Sequence, residues 1–101
     1  MATDRGYRLS PAAQNDLAHI WRHTARKWSV MQAENYQDNL AAAFEGLASG
    51  AKIGRPVEVQ RKGYLKYVTG AHVIYFREAG PEIIIVRILH GAQDAERNLH
   101  E

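Results

Sequence analysis

The chain has 101 residues, and thirteen Lys and Arg against eleven Asp and Glu give it a formal net charge of +2. This length predicts a single domain, spanning 1–101, with one small hydrophobic core. Hydrophobic residues at 46% and charged residues at 24% are typical of a folded globular protein. The charge excess is too small to indicate nucleic-acid binding alone, and the lack of cysteine excludes disulfides and cysteine-based zinc sites.

The first half of the sequence predicts a strand and two helices. Residues 7–9 alternate as in a short strand, and Ser10 followed by Pro11 is a typical helix start. Two apolar stripes follow at helical spacing: Ala13, Leu17, Ile20, Trp21 and Thr24, then Ala33, Tyr36, Leu40, Ala43, Phe44 and Leu47. Residues 28–29 separate the helices and residues 49–50 end the second, which predicts an antiparallel helical hairpin.

The second half predicts a basic loop, three strands and a short tail. The loop covers 51–63, the strands about 64–69, 72–78 and 82–90, and one helical turn lies near 94–99. The order is therefore β-α-α-β-β-β. It predicts an α+β fold, with the helical hairpin packed on one face of a small antiparallel sheet.

The last predicted strand is apolar at almost every position, although a strand with one solvated face should alternate. We assign Ile84, Val86 and Ile88 to the helix side. The other face then carries Ile83, Ile85, Arg87 and Leu89. We expect that face to be open and to bind a partner protein.

Histidines offer two candidate chemical sites. His19 and His23 share a helix face and suit a metal, but no third ligand has an obvious place, so two solvated histidines are favoured. His90 ends the last strand and suits a general base, but no motif places a nucleophile beside it, so a structural histidine is favoured. We therefore expect no metal and no cofactor.

Basic residues alternate with tyrosines in the second half. The cations are Arg55, Arg61, Lys62, Lys66, Arg77 and Arg87, and the tyrosines are Tyr64, Tyr67 and Tyr75. This mixture suits RNA, through phosphate contacts and base stacking. It equally suits a sheet edge that blocks aggregation and holds an acidic peptide, so the residues leave both interpretations open.

Four segments together resemble one family. They are Tyr7-Arg8-Leu9-Ser10-Pro11-Ala12-Ala13 with Asp16-Leu17 and Ile20-Trp21; Gln32-Ala33-Glu34-Asn35-Tyr36; Gly54-Arg55-Pro56 with Arg61-Lys62-Gly63-Tyr64; and His72-Val73-Ile74-Tyr75-Phe76-Arg77 with Ile85-Val86-Arg87-Ile88-Leu89-His90. In this order they resemble the ParE toxins of bacterial type II toxin–antitoxin modules, within the ParE/RelE superfamily. The resemblance covers nearly the whole chain.

The resemblance implies a RelE-like fold and growth inhibition by poisoning DNA gyrase, without an active site. It also implies a small, partly disordered and acidic antitoxin that wraps around the toxin in a hetero-oligomer. For antitoxin contact it favours Leu9, Ile83, Ile85, Arg87 and Leu89. For toxicity it favours Arg55, Arg77, His90, Gln93, Asp94 and Arg97. We expect a cytoplasmic protein, since the first ten residues carry no apolar signal region and no run approaches membrane-spanning length.

Two alternatives stay open within the superfamily. One is a RelE-type messenger-RNA interferase that uses Arg77, Arg87 or His90, although the tail has one Arg and lacks Lys and Tyr. The other is a scaffold that only binds its antitoxin. One departure from the family pattern is Gln93, which stands where relatives commonly have Met, and it bears on how the tail docks.

Overall fold

A computed structural model describes residues 6–57, 63–93 and 95–99. The elements in chain order are β1 Tyr7–Leu9, α1 Pro11–Lys27, α2 Val30–Ser49, β2 Arg55–Pro56, β3 Leu65–Thr69, β4 His72–Ala79, β5 Glu82–His90 and α3 Ala95–Asn98. The predicted α+β fold with a helical hairpin on a small sheet is confirmed. Within the described residues, no helix is long and apolar enough to cross a membrane.

Both long helices begin where the sequence predicts. The Ser10 hydroxyl accepts a hydrogen bond from the Ala13 backbone N–H at 3.0 Å, and the Ser29 hydroxyl accepts one from Gln32 at 3.0 Å. Gly50 ends α2 in the left-handed conformation, with φ of 88°. Each serine satisfies one of the backbone N–H groups that a helix start leaves without an intrahelical partner. The two serines and Gly50 therefore mark where the helices begin and where α2 ends.

The strands form one five-stranded sheet in the order β1-β5-β4-β3-β2. The pairs β3–β4 and β4–β5 are antiparallel, as expected. The short β2 also pairs with β3 in antiparallel orientation, although its segment was predicted to be part of a loop. The short β1, however, pairs with β5 in parallel, placing Tyr7 beside Ile83 and Leu9 beside Ile85. The sheet is therefore mixed. A parallel pair needs a long connection between its strands, and the chain between β1 and β5 contains both long helices and three strands.

Two hydrophobic clusters cover the two faces of the sheet. The inner cluster, between the helices and the sheet, contains Ala13, Ile20, Leu40, Ala43, Phe44, Leu47, Ala48, Ile74, Phe76, Ile83, Ile85 and Ile88. The outer cluster lies on the opposite face and contains Tyr64, Tyr75, Val86, Leu89 and Leu99. Leu99, which directly follows α3, is 4% exposed, so the chain covers part of its own outer face with its tail.

A β-bulge in β5 separates the two faces differently from simple alternation. Tyr75 lies opposite Arg87, whereas its neighbour Phe76 lies opposite Ile85, so Val86 is an extra residue in the ladder. Ile83 and Ile85 consequently face the helices, while Ile84 and Val86 face outward. The expected assignment of Ile84 and Val86 to the helix side is therefore wrong.

Candidate functional site

The predicted open face of β5 does not exist in the described structure. Ile83 and Ile85 are fully buried beneath the helices, and Leu89 is buried in the outer cluster beside Leu99. Leu9 is partly buried against the inner cluster. The prediction of an apolar face open to a partner is thus wrong. The prediction fails because the helices cover one side of β5, and Leu99 and Tyr64 cover the other.

Arg87, the polar member of that predicted face, holds the edge of β5 instead. Its Nε and Nη2 donate to the two carboxylate oxygens of Asp16 at 2.7 and 2.8 Å, and its Nη1 donates to the Asn98 carbonyl at 3.2 Å. The hydrogen bonds that Arg87 donates to Asp16 raise the pKa of Arg87. The guanidinium therefore ties α1, β5 and the tail together.

Asp16 and Ser10 also satisfy backbone groups of β5 beyond the end of β1. The Ile88 N–H donates to Oδ2 of Asp16 at 2.9 Å, and the Ser10 hydroxyl donates to the Val86 carbonyl at 2.7 Å. The sequence did not predict these roles, because the contacts span 72 and 76 residues. The signal that could have found Asp16 is a carboxylate in the second turn of a helix that directly follows an edge strand.

The outer face of the sheet carries several of the cations predicted for toxicity. Arg55 lies opposite Lys66, and Lys66 lies opposite Tyr75 of the outer cluster. Arg77 lies opposite Ile84, which packs against the same cluster. Residues directly opposite one another share a face of the sheet. We call this surface, with Arg55, Lys66 and Arg77 around the outer cluster, the basic outer face.

The tail lies against this basic outer face. Leu99 and Ala95 pack on the outer cluster, and Arg97 is exposed on α3 between them. Gln93 closes the preceding turn: its side-chain oxygen accepts from the His90 N–H at 2.7 Å, and its own N–H donates to the His90 carbonyl at 2.9 Å. Gln93 thus has a structural role in this turn, and Asp94 lies outside the described residues.

The three residues proposed for a ribonuclease are not brought together. Arg77 and Arg87 lie opposite Ile84 and Tyr75 on the outer face, and Arg87 is paired with Asp16. His90 pairs across the ladder with His72, which contacts α2 through Tyr36, so it lies on the helix side of the sheet. The fold therefore offers no joint arrangement of these three groups around one phosphate.

Among the described residues, no group of three or more His, Cys, Asp or Glu side chains could hold a metal ion. His19 and His23 instead line a cavity with His72 and His90. Burial lowers the pKa of His72, and the neighbouring His90 and His23 lower it further, against an opposing effect of Asp16. The sequence pattern suggested that His19 and His23 lie together, but not that His72 and His90 lie beside them.

The tip of the helical hairpin exposes large apolar side chains. Trp28 is 65% exposed and Met31 is 71% exposed, with Val30 between them at 53%. The Lys27 ammonium lies 5.9 Å from the centre of the Trp28 ring. These side chains lie outside both hydrophobic clusters, so the tip adds a surface separate from the basic outer face.

Comparison with known proteins identifies the family at this point. Residues 7–95 match the family model described as ParE toxin of type II toxin–antitoxin system, parDE. The chain is 43% identical over 94 residues to Toxin ParE1 of Mycobacterium tuberculosis, covering 92% of this chain and 96% of that protein. It is 38% identical over 93 residues to Toxin ParE1 of Caulobacter vibrioides, with the same coverage.

Two solved structures share the fold. One is described as the chromosomal ParDE TA system from P. aeruginosa, with a TM-score of 0.73 and 23% identity, covering 86% of this chain and 96% of that chain. The other is the toxin–antitoxin complex RelBE2 from Mycobacterium tuberculosis, with a TM-score of 0.59 and 18% identity, covering 87% and 99%. At these identities the likeness concerns the fold.

Proposed function

This chain belongs to the ParE toxin family of type II toxin–antitoxin systems, and we propose that it inhibits growth by binding and poisoning DNA gyrase until an antitoxin neutralises it. The observation that carries the proposal is the family match over residues 7–95, together with about two-fifths identity to curated ParE1 toxins. The match includes both helices, the whole sheet and the start of the tail.

The basic outer face is the surface that we assign to the gyrase–DNA complex. Arg55 and Lys66 are exposed there, and Arg97 extends the positive charge onto the tail. A cleaved DNA segment held by gyrase carries dense negative charge, and lysine and arginine contacts to phosphates supply affinity that falls with salt. The outer cluster beneath these cations gives them a rigid support.

An antitoxin is the second partner that we propose. The solved relatives with this fold are described as toxin–antitoxin systems or complexes. A partly disordered antitoxin that folds on binding can cover a large surface of a chain this small. Since the basic outer face and the exposed hairpin tip both carry cations, an acidic antitoxin has complementary charge available on either side of the molecule.

A gyrase supercoiling assay tests the target directly. Purified toxin, free of antitoxin, is added to gyrase with plasmid and ATP, and we expect loss of supercoiling with accumulation of cleaved DNA. Arg55→Glu and Arg97→Glu should weaken this effect, because they reverse charge on the proposed contact surface. Arg26→Glu is the matched control, since Arg26 is also exposed but lies in the last turn of α1.

Two outcomes would overturn the proposed target. Normal gyrase activity at a large excess of folded toxin would exclude gyrase poisoning, and ribosome-dependent mRNA cleavage would be measured next. Absence of growth arrest on expression of the toxin alone would instead favour the scaffold alternative. If Arg26→Glu lost as much activity as Arg55→Glu, gyrase poisoning would stand but its assignment to the basic outer face would fail.

A further inference from the structure

Four histidines line one cavity on the helix side of the sheet. The cavity has a volume of about 260 Å³, and its lining residues are His19, Ile20, His23, Thr24, His72 and His90. His19 and His23 stand one turn apart on α1, and His72 and His90 are direct partners in the ladder between β4 and β5. The rings of His72 and His90 are 6.0 Å apart, edge to face. Three separate elements thus direct imidazoles to one place.

Both sheet histidines make a hydrogen bond through Nδ1. The Ala92 N–H donates to Nδ1 of His90 at 3.2 Å, so Nδ1 carries no proton and the neutral ring carries it on Nε2. The Tyr36 hydroxyl lies 2.7 Å from Nδ1 of His72 and 3.5 Å from the Thr69 carbonyl. The contact with Tyr36 occupies Nδ1 of His72 and leaves Nε2 as the ring nitrogen that can face a ligand, and the protonated ring donates from both nitrogens.

The size and composition of the cavity narrow the class of group that it accepts. The Nε2–H of His90 suits an anionic oxygen, and so does Nε2 of His72 when that ring is protonated. Pockets for small molecules and cofactors commonly enclose about 300–1,000 Å³, so 260 Å³ suits an inserted side chain better. Lys and Arg, which dominate phosphate sites, are absent from the described lining, whereas Ile20 and Thr24 supply apolar contact for a methylene stem. His19 and His23 are exposed, so the cavity opens to solvent.

We propose that this histidine pocket binds the carboxylate side chain of an aspartate or glutamate from a partner peptide, with His72 and His90 as its hydrogen-bond donors. The identity of the peptide rests on the proposed function of the chain: we take it to be a segment of the antitoxin. An acidic antitoxin supplies such side chains, and the pocket gives one of them a defined position. The pocket thus fixes the register of an otherwise flexible partner.

Binding at this pocket is coupled to protonation. The groups that face His72 are His19 and His23 from α1, Tyr36 from α2 and His90 from β5, while Asp16 of α1 acts on it from its ion pair with Arg87. Burial and the neighbouring imidazoles lower the pKa of His72. A bound carboxylate opposes both effects and raises that pKa. Affinity therefore increases as pH falls through the histidine range.

Imidazole-detected NMR of the free toxin tests the site without an antitoxin. In ¹H–¹⁵N spectra of the histidine rings, N-acetyl-glutamate N-methylamide should shift His72 and His90, and the corresponding glutamine compound should not. His72→Gln and His90→Gln should each weaken glutamate binding about tenfold, as expected for a hydrogen bond to a charged group. Arg22→Gln, an exposed position on α1, should leave it unchanged. Equal shifts by the glutamine compound, equal binding of inorganic phosphate, or no shift would overturn the proposal.

Measuring the affinity of the toxin for its cognate antitoxin distinguishes this inference from the proposed function. We expect the affinity of the complex to increase as the pH is lowered from 8 to 6. The double variant His72→Gln with His90→Gln should show a smaller increase. If the antitoxin binds with the same pH dependence to wild type and variant, the pocket assignment fails while the toxin–antitoxin function stands. If the antitoxin does not bind but the glutamate compound does, the pocket stands and the proposed function fails.

Discussion

Asp16 is a single side chain on which three parts of the molecule depend. It accepts two hydrogen bonds from Arg87 and one from the Ile88 backbone, and Arg87 in turn holds the Asn98 carbonyl. The side chains of Arg87 and Asp16 are only 18% and 13% exposed. A pair shielded to this degree is sensitive to loss of one partner, because the remaining charge keeps its desolvation cost without compensation.

Asp16→Ala is therefore expected to lower the free energy of unfolding by about 2 kcal/mol or more. It removes the carboxylate that pairs with Arg87 and leaves the Ile88 N–H without its acceptor. Urea unfolding followed by circular dichroism measures the change.

The matched control for Asp16→Ala is Glu82→Gln, which breaks the ion pair with Arg8 on the surface. Those two side chains are 61% and 39% exposed, so the cost should stay within about 0.5 kcal/mol. Equal losses for the two variants would show that burial does not decide the strength of these pairs.

At the scale of the element, helix caps differ according to what else they hold. Ser10 caps α1 and also donates to the Val86 carbonyl of β5, whereas Ser29 caps α2 at an exposed turn. Ser10→Ala should cost about 2 kcal/mol and Ser29→Ala about 1 kcal/mol or less. Thermal and urea unfolding of both variants measures the difference. A larger loss for Ser29→Ala would contradict the role of Ser10 as a link between helix and sheet.

The turn between β3 and β4 depends on glycine for two separate reasons. Gly70 has φ of 56°, and a Cβ placed there would lie 2.7 Å from the Tyr36 hydroxyl. Gly80, in the next turn, has φ of 63°, but nothing lies within 4 Å of such a Cβ. Both positions carry the same left-handed conformation, so they separate backbone strain from contact with a neighbour.

Gly80→Ala should destabilise the protein by about 1–2 kcal/mol through backbone strain alone. Gly70→Ala should cost roughly 1 kcal/mol more, because moving Tyr36 breaks its bonds to Ala71 and His72. Unfolding midpoints measure the difference, and chemical shifts of the His72 ring should change only in Gly70→Ala. Identical costs would show that Tyr36 moves aside freely.

The element scale also shows how far the sequence predicts this fold. Ser10-Pro11, Ser29, Gly50, Gly70 and Gly80-Pro81 mark element ends correctly, because each acts on its immediate neighbours. The faces of β5 were not predictable in this way. The bulge at Val86 depends on pairing with β4, and one extra residue moves every following side chain to the other face.

The candidate site was predicted in part for the same reason. Arg55 and Arg77 were named for toxicity, and the structure places both on the basic outer face; whether they carry toxicity stays a prediction. Arg87 was expected on an open face, but its position depends on Asp16, 71 residues earlier in the chain. Contacts over such distances leave no periodic signal, so a uniformly apolar strand did not reveal which neighbours cover it.

At the scale of the whole molecule, the sheet separates two surfaces of different chemistry. The basic outer face carries arginines and a lysine beside the tail, and the helix side carries the histidine pocket. Arginine and lysine keep their charge throughout the physiological pH range, whereas histidine does not. We therefore expect salt to act mainly on contacts of the outer face and pH mainly on contacts of the helix side.

The histidine pocket also makes the stability of the free protein depend on pH. Burial lowers the folded-state pKa of His72 below its ordinary value of 6.5. The unfolded chain therefore binds a proton more readily than the folded one, and stability falls as pH drops from about 7 to 5.

His72→Gln removes the titrating group, while its side-chain amide can still contact Tyr36. Urea unfolding at pH 7.5 and 5.5 should show a smaller pH-dependent loss in His72→Gln than in wild type. The difference between the two proteins isolates this histidine from the carboxylates, which titrate in both. An identical loss in both would show that His72 titrates alike in the folded and unfolded states. A larger loss in His72→Gln would mean that folding raises the pKa of His72, contrary to the effect of its partial burial.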